Sequence, residues 1–183
     1  MQLPAYRRKE HMKHREGKRT PSITRLDSID WRILAALQDN ARIANVELAD
    51  KIHLSPSPCL ARVKALERDG FIRRYVTLLE PAAIGLGVNV FVQVRLDRQV
   101  EPALNAFEKA VAGRPEVMEC YLMTGTADYL LRVVVSDLEA FQKLLTEFVA
   151  KIPGVGNIQS SVALKQVIYK TALPIPEGSD SDY

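Results

Sequence analysis

The stretch LDSIDWRILAALQDNARIANVELADKIHLSPSPCLARVKALERDGFIRRYVTLLEP, residues 26–81, decides the architecture of this chain. Apolar residues recur in it at helical spacing three times, with a break after each run. Asp27 is placed to cap the first helix, whose apolar stripe is Ile29, Ile33, Leu34 and Leu37. Asn45 is placed to cap the second, with Val46, Leu48, Ala49 and Ile52 turned inward. After a tight turn at His53 and Leu54, Ser55 caps a third helix, and Pro56 takes its first position, where a missing N–H costs nothing. Cys59, Leu60, Val63 and Leu66 form the buried stripe of this helix, and Gly70 ends it. Phe71–Val76 reads as the strand of a wing. Two short helices joined by a tight turn point to a helix-turn-helix, with the third helix placed to read a DNA groove.

At about 100° per residue, the face of that helix opposite its buried stripe is centred on Ala61. Ser57, Ala65 and Arg68 line the same face, Pro58 and Lys64 stand at its edges, and Arg62 lies further round. Small residues at the centre let the backbone approach base edges and leave room for a thymine methyl group. Ser55, Ser57, Arg62, Lys64 and Arg68 are the donors available to phosphates or bases. An amphipathic helix with an ordinary solvated face fits the same periodicity.

Beyond residue 81 the period changes. Val88, Val90, Val92, Val94 and Leu96 alternate strictly, the pattern of a strand with one buried face. A helix over 101–113 follows, with Leu104, Phe107 and Val111 inward, then strands at about 116–124 and 128–135. Ser136 and Glu139 have capping-box spacing before a helix carrying Leu138, Phe141, Leu144, Leu145 and Phe148. Pro153-Gly154 ends it, and a last strand runs over 156–169. The order β-α-β-β-α-β is the ferredoxin-like arrangement, so the fold class is α+β. Its two helices cover one face of the sheet. The bare face, expected to hold Phe91, Tyr121 and Val167, is too apolar to stay wet and calls for a second copy.

The domains expected are therefore a basic arm at 1–25, a winged helix-turn-helix at 26–80, a ferredoxin-like domain at 81–175 and a tail at 176–183. A formal net charge of +3 says little until it is divided along the chain. Residues 1–25 balance at +6, residues 26–80 are neutral, and residues 81–183 carry −3. Such asymmetry suits a protein that meets a polyanion at one end and does something else at the other. Met12 opens MKHREGKR and offers a second possible start. Cys59 and Cys120 are too few for a disulfide framework or a zinc site, and both read as packed, reduced thiols. No apolar run reaches the length of a membrane span and no secretory signal is visible, so a cytoplasmic, nucleoid-associated protein is expected. There is no Walker sequence, no GxGxxG and no spaced nucleophile–base pair; the chain reads as no enzyme, with no metal and no cofactor.

Residues 26–81, with the runs NVELA, LSPSPCL and RVKALERDGFI, closely resemble the DNA-binding domain of the leucine-responsive (Lrp/AsnC) family of transcriptional regulators. MECYLMTGTADYLLRVVV resembles the family's effector-binding strand-turn-strand, in a RAM/ACT-like domain. KQVIYKTALPI resembles the branch that controls branched-chain amino-acid or proline catabolism. The resemblance covers about residues 26–175 and implies an amino-acid effector such as leucine. It also implies double-stranded DNA as partner and a homodimer that assembles into tetramers or octamers. Two positions depart from the pattern. His53 stands where relatives usually carry Gly, at a position expected to need a left-handed backbone. Ala61 and Ala65 stand where relatives often place Arg.

Under this resemblance the turn Thr124-Gly125-Thr126-Ala127-Asp128-Tyr129 becomes the effector site. Gly125 permits a tight backbone whose N–H groups could take a carboxylate, Asp128 could take the α-ammonium, and Met123 or Tyr129 could meet the side chain. Read from the residues alone, the turn is more simply a plain hairpin in which Asp128 bonds nearby backbone amides, and the resemblance reverses that order. Ser160 and Ser161 are weaker candidates for a share contributed by a partner subunit. Two other functions stay in play. One is an architectural DNA organiser that senses nothing; the other is an ACT-like module of an enzyme, which the lack of any catalytic segment disfavours.

Overall fold

The computed structural model describes residues 26–175, so the basic arm and the tail lie outside the described residues. The chain divides into two units: residues 26–76 together with 170–175, and residues 77–169. The boundary falls four residues before the expected one. Residues 170–175, expected in the second domain, pack with the first because Gln38 clasps Leu173 at both backbone groups. The Gln38 Nε2 donates to the Leu173 carbonyl at 3.2 Å, and the Leu173 N–H donates to Gln38 Oε1 at 2.7 Å.

In the first unit, α1 (Ser28–Asp39), α2 (Asn45–Lys51) and α3 (Pro56–Arg68) enclose Ile33, Ala36, Leu48, Ala49, Ile52, Cys59 and Leu66. Asp27 caps α1 as expected, in a reciprocal box with Asp30. The cap of α2 is Ala44 instead of Asn45, whose side chain donates to the Pro56 carbonyl at 2.8 Å and so ties α2 to the start of α3. Ser55 occupies the cap position of α3 and Pro56 its first turn, but the Ser55 side chain makes no capping hydrogen bond. His53 has φ 61°, the left-handed backbone expected of this turn. Val46 and Leu60, expected inward, are exposed. Val46 lies about 200° from Leu48 and Leu60 about 100° from Cys59, outside the narrow stripes that two short helices bury.

The expected wing strand is not formed. Phe71 and Ile72 turn back onto the core, both N–H groups donating to the Leu66 carbonyl, and residues 73–80 run on without a sheet partner among the described residues. A strand needs a neighbour for its ladder, and none lies alongside.

The second unit is a four-stranded antiparallel sheet in the order β2-β3-β1-β4, built from β1 (Val88–Leu96), β2 (Val117–Leu122), β3 (Tyr129–Val135) and β4 (Val155–Val162). Helices α4 (Glu101–Ala112) and α5 (Leu138–Glu147) cover one face, where Val90, Val92, Val94, Phe107, Leu131 and Val133 are fully buried. The rings of Phe107 and Tyr129 pack with centroids 4.5 Å apart. Alternation along β1 places Phe91, Gln93 and Arg95 on the opposite, open face. Phe91 and Tyr121 are exposed there by 38% and 52%.

Several local expectations change. The cap of α5 is Asp137, accepting from the Ala140 N–H at 2.7 Å, instead of Ser136, and Leu138 is exposed. The helix ends at Glu147, followed by a short 3-10 turn at Val149–Lys151 before Pro153. β4 stops at Val162, because its partner β1 begins at Val88 and offers nothing to pair with beyond the bond from Ala163 N–H to the Asn89 carbonyl. Val167 is therefore exposed but off the sheet. Cys59 is buried as expected; Cys120, on the edge strand β2, is exposed.

Candidate DNA-reading and effector sites

The outer face of α3 carries Ser55, Ser57, Pro58, Ala61, Lys64 and Arg68 exposed, with Ala65 half-buried. Lys64 and Arg68 are thus placed toward solvent, Arg68 leaning on its neighbour Asp69 at 2.9 Å. That hydrogen bond raises the guanidinium pKa further. Arg62 departs from the expectation. Its guanidinium is held by Asp27 at 2.7 Å and by Asp30 at 2.9 Å, so it faces α1 and not open solvent. The bonds to Asp27 and Asp30 raise its pKa; burial pushes the Asp27 carboxyl up, but the Asp30 N–H and Arg62 outweigh it and hold the group below its usual value. At the end of α3, the Tyr75 hydroxyl donates to Glu67 at 2.9 Å, and burial with this carboxylate pushes the phenol up to about 12. The helix is therefore braced from α2, from α1 and from the segment that follows it.

In the second unit the structure separates the residues expected to form one pocket. Gly125 adopts φ 115°, the left-handed half of backbone space, and a Cβ there would meet nothing. Thr126 and Ala127 line a hollow of about 250 Å³ with Gln93, Arg95, Asn157 and Gln159. The four polar residues are cross-strand neighbours on the open face, Gln93 opposite Gln159 and Arg95 opposite Asn157. Tyr129 points the other way. It is buried against α4, its hydroxyl donates to Glu108 at 2.8 Å, and it lines a larger hollow of about 420 Å³ with Met118, Cys120 and Leu122. Burial, and then Glu108, raise the Tyr129 pKa. Met123, Thr124 and Gly125 are exposed and line neither hollow.

Asp128 is only 5% exposed, and both its oxygens are occupied. Oδ2 accepts from the Leu96 N–H at 2.6 Å and Oδ1 from Gln99 Nε2. Its own N–H donates to the Val94 carbonyl and its carbonyl accepts from the Met123 N–H, so the residue fastens the turn to β1. Arg95, which lines the hollow, is not among the residues expected there; its sequence signal is the polar pair Gln93 and Arg95 alternating with buried valines in β1. Ser160 and Ser161 lie exposed on β4.

A three-helix unit that presents the face of its third helix, followed in sequence by an open-faced ferredoxin-like sheet with a polar hollow beside a glycine turn, defines a DNA-binding regulator with a ligand-binding domain. Residues 26–73 match the winged helix-turn-helix DNA-binding model, and residues 89–173 match the Lrp/AsnC ligand-binding domain model. The Bkd operon transcriptional regulator of Pseudomonas aeruginosa is 44% identical over 150 residues, covering 82% of this chain and 98% of that protein. The leucine-responsive regulatory protein of Escherichia coli is 42% identical over 82% of this chain and 92% of its own. Among solved structures, a transcriptional regulator from Neisseria meningitidis in complex with L-methionine is 40% identical, with a TM-score of 0.79 over 82% of this chain and 97% of that one. An AsnC family regulator from Agrobacterium tumefaciens is 40% identical, with a TM-score of 0.77 over 81% and 97%. The chain belongs to the Lrp/AsnC family of transcriptional regulators, and it is not an enzyme. The match to a ligand-binding domain does not favour a purely architectural role.

Proposed function

We propose that the protein reads operator DNA through the outer face of α3 and changes its regulatory output when an aliphatic amino acid binds beside the 124–129 turn. Ser55, Ser57, Pro58, Ala61, Lys64, Ala65 and Arg68 form the reading surface, with the basic side chains and hydroxyls on phosphates and the small residues against base edges. The observation that carries the effector site is the hollow beside Thr126 and Ala127, into which Arg95 brings a cation for the ligand carboxylate. Asp128 acts by anchoring the turn, since its carboxylate is already engaged. Met123 and Tyr129 bound the turn in sequence, Met123 exposed and Tyr129 buried against α4.

The effector is leucine or a similar amino acid. Relatives named for leucine responsiveness and a neighbour solved with L-methionine support an aliphatic side chain. The target genes are those of amino-acid metabolism, in line with the resemblance of KQVIYKTALPI to the branch that controls branched-chain amino-acid or proline catabolism. The protein works as a homodimer closed over the open sheet face, extending to tetramers or octamers, at the nucleoid in the cytoplasm. Among the described residues no helix is long and apolar enough to cross a membrane.

Calorimetry with L-leucine, L-methionine and L-aspartate tests the site. The two apolar amino acids should bind and aspartate should not. Arg95→Ala and Gly125→Val should each remove binding while leaving ligand-free operator affinity in place; unchanged ligand affinity in both variants would place the pocket elsewhere.

A further inference from the structure

Two carboxylates meet at the start of α1, and each of their four oxygens has a donor. Asp27 Oδ1 accepts from the Asp30 N–H at 2.8 Å, and Asp30 Oδ2 from the Asp27 N–H at 3.3 Å. The two remaining oxygens, Asp27 Oδ2 and Asp30 Oδ1, both accept from a single nitrogen, the Nη1 of Arg62 in the middle of α3. The ring is shielded at its inner end, where the side chain of Asp30 is 15% exposed and that of Arg62 is 35% exposed.

We propose that Arg62 is a positioning residue for DNA recognition: it sets the angle of α3 by closing this carboxylate ring, and it does not touch the DNA. The inference rests on α3 being the reading helix. One consequence of the ring gives it force: without the guanidinium, Asp30 Oδ1 loses its donor in a shielded place, and the helix shifts to find another. Lys64 and Arg68, by contrast, project from the outer face.

The distinguishing perturbation acts on the other end of the ring. If Arg62 touched phosphate, Asp30→Asn would remove a negative charge near the DNA and leave binding equal or tighter. If Arg62 positions the helix, Asp30→Asn weakens the specific complex. The test measures the affinity of full-length protein for an operator duplex and a random duplex across a salt series, in the parent, Arg62→Gln, Asp30→Asn and Lys64→Gln. Arg62→Gln and Asp30→Asn should each lower operator affinity by about tenfold, the scale of one base-edge interaction, with little change on random DNA. Their salt slopes should match the parent, whereas Lys64→Gln should flatten its slope by about 0.9. Asp30→Asn keeps one carbonyl oxygen for the Asp27 N–H, so the reciprocal cap survives while the bond to Arg62 is lost, and a fold defect in Arg62→Gln does not void the comparison. A flattened slope in Arg62→Gln, or tighter operator binding by Asp30→Asn, overturns the inference while leaving α3 as reader. Unchanged operator affinity and slope in Lys64→Gln overturns the α3 reading and this inference with it.

Discussion

Replacing Asp128 distinguishes a carboxylate that builds the sensor from one that touches its ligand. The side chain is almost fully buried and accepts from the Leu96 backbone N–H and from the Gln99 amide. A hydrogen bond to a charged acceptor contributes about 1.5–3 kcal/mol, and an orphaned buried N–H costs about 1–3 kcal/mol. Asp128→Ala deletes both bonds and strands the Leu96 N–H at the end of β1, where Gln99 can reach water but Leu96 cannot. The variant should lose about 2–4 kcal/mol of stability in the 77–169 unit. Asp128→Asn keeps a carbonyl oxygen for Leu96, and Gln99 can turn its own amide over to accept from the new NH₂, so its cost should be about 1 kcal/mol. Urea unfolding followed by circular dichroism, with hydrogen exchange at Leu96 N–H, measures the two costs. Calorimetry with L-leucine and L-methionine then measures binding on the folded variants. The Asn variant should retain its ligand affinity and the Ala variant should lose it in step with the loosening of the turn. An Asn variant as stable as the parent that no longer binds either amino acid would refute the reasoning, because the carboxylate would then be meeting the ligand ammonium.

Ala61→Leu should weaken operator binding far more than random-duplex binding, since added bulk at the centre of the exposed face holds α3 off the bases; equal losses would move the reading centre elsewhere. Removing residues 1–25 removes a net +6, and every phosphate that the arm neutralises should then be missing from the salt slope, flattening it by about 0.9 each; identical slopes would make the arm a bystander. Phe91→Asp should dissociate the assembly in sedimentation equilibrium by placing a charge in the apolar patch of the open face, and a parent protein that sediments as a monomer would sink the dimer. Asp27 has a carboxyl pKa below its ordinary 3.8 in the folded chain, so it stabilises the first unit above that pH, and the contribution disappears as pH falls through the lower folded value. Acid titration of the Trp31 signal should show this loss in the parent and a flatter curve in Asp27→Asn.

How far the sequence could be read depended on whether the deciding interaction was local. Asp27 caps the helix that it opens, Pro56 opens its own helix, and the alternation in Val88–Leu96 needs no partner to be seen; each of these features stands in the structure as expected. His53 is the same kind of case, a turn geometry forced by its neighbours along the chain. The failures share the opposite property. Phe71–Val76 has the composition of a strand, but a strand exists only when another chain segment offers its ladder, and composition says nothing of that. β4 ends at Val162, short of its expected limit, for the same reason. Its end is set by where β1 begins, through the last bond from Ala163 N–H to the Asn89 carbonyl, and not by anything in its own sequence.

The candidate sites divide along the same line, and this explains which residues changed role. Ala61, Lys64 and Arg68 are outward because helical geometry alone puts them there, so the outer face of α3 was legible. Arg62 carries the same charge on the same helix, yet its partners are Asp27 and Asp30, 35 and 32 residues away, and no spacing rule connects them. Asp128 reads in sequence as bonding nearby backbone amides or, under the family resemblance, an α-ammonium, until Leu96 and Gln99, 32 and 29 residues earlier, are folded against it. Neither residue shows its true partner in sequence, since that partner lies far along the chain. In each case the fold supplies the partner from a distant segment. The charge then fixes the position of an element: α3 through Arg62, and the 124–129 turn through Asp128. Under the proposed function, the contacts to DNA and effector pass to side chains that the fold leaves open, Ser57, Ala61, Lys64 and Arg68 on α3 and Thr126, Ala127 and Arg95 around the polar hollow.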